Sequence, residues 1–127
     1  MTSSEEQLLD NRAIEVWSRA VEPYGGSVGD FGPEGQLYLT GRFREDGISA
    51  DLRLHKRNGG YMIYVNDFHD ATGKMDEQSL KGTFVRVMTQ LIERLKLEGV
   101  SINFFNVQGA YDNSKEYRDA VLTAAGL

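Results

Sequence analysis

The sequence predicts a single α+β domain in the order α-β-β-β-α-β-α. Three observations predict it. Alternating apolar residues broken by glycine turns run from residue 36 to 69. Apolar stripes at helical spacing lie before and after that run, and a short apolar stretch follows the second stripe. Together they call for an antiparallel three-strand meander, a β-α-β crossover and helices mainly on one face of the sheet. At 127 residues, 40% hydrophobic and 26% charged, the chain suits one domain (1–127) with one core.

The first helix opens at Ser3 or Ser4, with Glu6 or Gln7 placed three residues on to complete a capping box. Leu9, Ala13, Val16, Trp17 and Ala20 form its apolar stripe, and Pro23 ends it. "GGSVGDFGPEG" follows, with too much Gly and Pro for regular structure. It also follows a helix, precedes a strand and lacks Lys, unlike a phosphate-cradling loop.

"QLYLTGRFR" and "ISADLRLHK" are strands joined by the turn "EDG", and "RNGG" leads into a third, "YMIYVNDFH". Alternation puts Leu37, Leu39, Phe43, Ile48, Ala50, Leu52, Leu54, Ile63 and Val65 on a buried face. The opposite face receives Tyr38, Arg42, Arg44, Asp51, Arg53, His55 and Tyr64.

A long helix spans about Asp76 to Glu98, with Leu80, Phe84, Val87, Met88, Leu91 and Leu95 in its stripe and Gly99 as its stop. "SINFFNV", residues 101–107, is a strand apolar enough to lie inside the sheet. Asn113 with Glu116 forms a capping box for a last helix through Tyr117, Val121 and Ala124.

Several function classes are excluded or disfavoured. Without cysteine there are no disulfides, thiolate zinc sites or cysteine nucleophiles. No apolar run approaches the roughly 20 residues of a membrane span, and the acidic, polar start is no secretory signal. The expectation is a soluble cytoplasmic protein. A net charge of −5 weighs against duplex nucleic acid and suits a basic protein surface. No GxSxG elbow appears, and neither histidine has an evident serine partner.

Topology offers one candidate site. If the strands at 61–69 and 101–107 are parallel, the loops leaving their carboxyl ends share one edge of the sheet. That edge, residues 66–76 and 106–114, would gather Asp67, His69, Asp70, Asn106, Gln108, Tyr111 and Asn113, with free N–H groups of the last helix as an anion site. Asp67 and His69 could share a proton, the carboxylate orienting a general base. With one histidine there, a metal site lacks ligands. The competing reading is that these acidic residues end a strand and cap the next helix, with Asp76 as the cap. That reading is preferred.

"SLKGTFVRVMTQLIERLKLEGVSINFFNV" resembles the acetyl-CoA-binding half of the GCN5-related acetyltransferases. Gly82 matches the middle glycine of that family's pyrophosphate motif. Ser79 stands where Arg or Gln is usual, and Phe84 where a small residue is usual. The resemblance implies a cofactor contact at Gly82, and for such an activity the β-α-β edge would place Asn106 and Tyr111 to contact cofactor or protonate a leaving thiolate. The alternative function is an enzyme or sensor for a small molecule at the 66–76/106–114 edge, a degenerate acetyltransferase-like fold being one form of it. Asp67, His69 and Tyr111 are its catalytic candidates, and Gly82, Asn106, Gln108 and Asn113 its cofactor-binding candidates.

The preferred expectation is a non-enzymatic protein-binding module without cofactor, in an inhibitor, immunity or chaperone-like role. Its partner-binding residues would be Tyr38, Arg42, Arg53, His55 and Tyr64, since Tyr and Arg are typical interface anchors. The same face could join two copies in a homodimer. It carries no aromatic-rich RNA-binding signature.

Overall fold

The structure is a computed structural model, and it describes residues 11–22, 28–31, 36–57, 59–108 and 114–127. Side chains are described for these residues except 28–31, 36 and 37. Ser3, Ser4, Glu6, Gln7, Leu9, Pro23, Tyr111 and Asn113 therefore lie outside the described residues, as does the side chain of Leu37.

The elements are α1 (Asn11–Ala20), β1 (Val28–Phe31), β2 (Gln36–Glu45), β3 (Ile48–Arg57), β4 (Gly60–Asp70), α2 (Glu77–Leu97), β5 (Ile102–Val107) and α3 (Ser114–Ala125). They form one sheet in the order β1-β2-β3-β4-β5, antiparallel from β1 to β4, with β5 parallel to β4. The expected order of helices and main strands is present, and the crossover through α2 joins neighbouring parallel strands.

Local chemistry sets the boundaries. Asp46 (φ 51°) and Gly47 (φ 87°) make a two-residue turn between β2 and β3. Two successive positive φ angles match the right-handed twist of the strands they join. Asp76 caps α2, its carboxylate accepting the Ser79 N–H at 2.7 Å. At the other end Gly99 takes φ 92°, while the Gly99 and Val100 N–H groups donate to the Lys96 and Leu95 carbonyls at 3.0 and 2.8 Å. This pair of hydrogen bonds satisfies carbonyls the helix leaves open, and it folds buried Val100 back toward Leu95.

All three helices contribute to one core cluster with the sheet. Phe84, Val87, Met88, Leu91, Ile92 and Leu95 from α2 meet Leu52, Leu54, Ile63, Val65 and Phe105. Trp17 of α1 is 1% exposed and donates its indole N–H to the Thr40 carbonyl at 3.2 Å. Ala13, Val16, Tyr117 and Val121 are buried as expected, whereas Ala124 is exposed and Ala125 packs against the core instead. The last helix turns slightly from its expected register.

Two corrections concern the sheet. Val28–Phe31, inside the segment assigned to irregular structure, pairs antiparallel with Phe31↔Gln36 through Val28↔Leu39. The ladder uses backbone groups, so an open edge on the ten-residue β2 can recruit a glycine-rich stretch with little side-chain signal. The second correction is β5, which forms the far edge and does not lie inside the sheet. Its apolarity has another cause: Phe105 and Val107 are buried toward the helices, while Phe104 stands half-buried on the other face.

One irregularity decides where the candidate residues point. Asp51 pairs with Asp67, but the next residue, Leu52, pairs with Val65. Asn66 is thus an extra residue, a β-bulge that reverses the alternation. Without it Asp67 and His69 would follow Ile63 and Val65 into the core. With it Phe68 enters the core, 3% exposed, and Asp67 and His69 face outward.

Candidate functional site

Among the described residues, no helix or strand packs on the sheet face opposite the core. The register arranges that face in rows. Tyr38, His55, Met62 and Phe104 form one row, followed by Thr40, Arg53, Tyr64 and Asn106. Arg42, Asp51 and Asp67 form the next, and Arg44, Ser49 and His69 the last. One end is aromatic and the other ionic.

At the aromatic end, His55 stacks on Tyr38 with centroids 5.2 Å apart and meets Tyr64 edge-on at 6.2 Å. The Arg53 guanidinium lies 5.0 Å from the centroid of the Tyr38 ring, and that of Arg57 lies 4.3 Å from the Phe104 ring. Guanidinium over an aromatic face is attractive and fixes both groups. Arg57 also reaches the Met62 sulfur at 3.7 Å.

His55 is 5% exposed, so it supports this end rather than offering a surface. Loss of water around the ring, with the Arg53 charge beside it, lowers its pKa from 6.5 to about 4. His55 is therefore neutral at pH 7. Below pH 6.5 the unfolded chain binds a proton there that the folded chain refuses until about pH 4. Stability should fall across that window as pH is lowered. The loss should be about 2 kcal/mol, allowing for solvent screening on an open face. Urea midpoints at pH 7 and 4.5 for the wild type and His55→Phe check this: the variant should lose part of the decline, and parallel curves would refute it.

At the ionic end, Arg42, Arg44, Ser49, Asp51, Asp67, His69 and Ala71 line a depression of about 410 Å³. Arg42 pairs with Asp51 at 3.4 Å. The structure thus brings Asp67 and His69 together, but with β2 and β3 and not with β5. Asn106 turns its Oδ1 back to the Val107 N–H at 2.9 Å, and Gln108 donates its N–H to the Val65 carbonyl at 2.9 Å. Neither lines the depression. Of the edge constellation, Asp67 and His69 sit against β3 beyond the last β4–β5 pair, Val65↔Val107, while Tyr111 and Asn113 lie outside the described residues.

Asp70 has a different task. Its carboxylate accepts the Thr72 and Met75 N–H groups at 2.8 and 2.7 Å and orders the turn into α2. Hydrogen bonds from the Thr72 side chain and the Met75 N–H hold its pKa down at about 2, and bonds from Ser79 lower that of Asp76. The acidic stretch after β4 is therefore a strand end, an organised turn and a helix cap.

Gly82 sits in the second turn of α2, exposed, not in a turn before the helix. The α2 N-terminus is already occupied by the Asp76 carboxylate, with Glu77 next to it, which disfavours a pyrophosphate there. Glu116 in the first turn of α3 pairs with Lys81. Among the described residues, no cluster of three or more His, Asp or Glu could hold a metal ion. Among the described residues, no helix is long and apolar enough to cross a membrane.

Comparison with family models, curated proteins and solved structures finds no match.

Sequence reading missed Met62, Arg57 and Phe104 on the open face. A signal for Phe104 existed: two adjacent phenylalanines in one strand put a ring on each side of the sheet.

Proposed function

We propose that the protein is a non-enzymatic binding module whose partner, another protein, docks on the open face of the sheet. The observation that carries this reading is the cluster of Tyr38, Tyr64, Phe104, Arg53 and Arg57, spread over adjacent rows of a face that no described element covers. Aromatic rings and arginines held in place by one another lose little freedom on binding, which is what interface anchors require. The neutral, buried His55 beneath them stiffens the platform.

Affinity capture with the wild-type chain, followed by reconstitution with the purified partner, tests the reading. Arg53→Glu combined with Tyr64→Ala should weaken the complex at least about tenfold, while Arg118→Gln on α3 should leave it unchanged. Sedimentation velocity in parallel shows whether the partner is a second copy. A monomeric chain that retains no protein, or a complex indifferent to the open-face variant, would overturn the proposal.

A further inference from the structure

The open face divides by charge as well as by polarity. Its carboxylates, Asp51 and Asp67, share a row with Arg42, and Arg42 pairs with Asp51 at 3.4 Å. Among the residues whose side chains are described, the aromatic end holds Arg53 and Arg57 and no carboxylate. Among the described residues, neither arginine makes an ion pair; both guanidiniums lie on rings. A chain of net charge −5 thus presents a locally cationic, aromatic platform.

We propose that this platform recognises an acidic, apolar-interleaved extended segment of the partner protein; the inference rests on the protein-binding reading above. Carboxylates would accept the outward N–H groups of Arg53 and Arg57, and apolar side chains would cover Met62 and the exposed edges of Tyr38, Tyr64 and Phe104. Guanidinium and carboxylate match in planar, paired hydrogen bonds. The four-strand platform is roughly 19 Å wide, the span of about six extended residues.

A single-stranded nucleic acid fits less well. Its bases need open ring faces, and Tyr38 already stacks on His55 and lies under Arg53, while Phe104 lies under Arg57. Its phosphates, continuing across the face, would reach Asp51 and Asp67.

The test is fluorescence anisotropy with the full chain and four labelled probes. Three are peptides with Leu alternating with Glu, Gln or Lys between Ser-Gly ends; the fourth is an oligo(dT) of similar length. The Glu peptide should bind about tenfold more tightly than the Gln peptide, and the Lys peptide and oligo(dT) more weakly still. Arg53→Gln with Arg57→Gln should remove that preference, and Arg118→Gln should keep it. Equal binding of Glu and Gln peptides, tighter binding of oligo(dT), or no peptide binding each overturns the acidic-segment inference. The protein-binding reading falls separately, if the captured partner ignores Arg53→Glu with Tyr64→Ala.

Discussion

Phe84→Ala should cost about 3–5 kcal/mol, the largest effect of any single change considered. Phe84 is fully buried where four elements meet. Its ring lies 4.4 Å from Phe68 of β4, 5.5 Å from Tyr117 of α3 and 6.2 Å from Phe105 of β5. Truncation removes the transfer energy of a phenyl group, leaves a cavity and breaks ring pairs worth about 0.5–1.5 kcal/mol each. Small domains have only about 5–15 kcal/mol in hand. Urea unfolding should show a large drop in midpoint, with Phe84→Leu losing much less because most of the volume remains. The effect reaches the binding face, since Phe68 is the residue that anchors the Asn66 bulge and so aims Asp67 and His69. A loss below about 1 kcal/mol would mean the ring junction does not hold sheet and helices together.

Gly41→Val comes second, at about 3 kcal/mol. Its cause is space. A Cβ on Gly41 would sit 2.3 Å from Val21 Cγ2, 3.0 Å from Val21 Cβ and 3.3 Å from Trp17 Nε1. Those atoms cannot simply retreat. Val21 is held by its N–H to the Trp17 carbonyl at 3.0 Å, and Glu22 exchanges two backbone bonds with Arg42, each 2.8 Å. The chain leaving α1 therefore crosses β2 in contact with its backbone, and only glycine admits it. Trp17 is the sole tryptophan, so its fluorescence reports this junction directly. The variant should show lowered stability and a red-shifted emission. Val21→Ala should couple favourably with it, by about 1 kcal/mol in a double-mutant cycle. An unchanged midpoint and spectrum would show that α1 docks differently.

The two results bear on function because the core face and the binding face are two sides of the same strands. Residues that lock the sheet from beneath set the positions of the rings and arginines above.

Every described element except β1 was legible in the sequence. Alternation in Leu52, Leu54, Ile63 and Val65, the Asp46-Gly47 turn, the Asp76 cap and the Gly99 stop all act within a few residues, so a local pattern carries them. The open face was legible as a set through Tyr38, Arg42, Arg53 and Tyr64, for the same reason. What only the tertiary structure decided were matters of pairing. The bulge at Asn66 depends on Phe68 finding Phe84 and Tyr117 on separate helices, and no neighbouring residue announces it. The pairing of Val28–Phe31 depends on the free backbone of β2, and the burial of His55 on Tyr38 and Tyr64 from two other strands. One extra residue changes which way every later side chain points, and its place is chosen by the packing energy of the whole core.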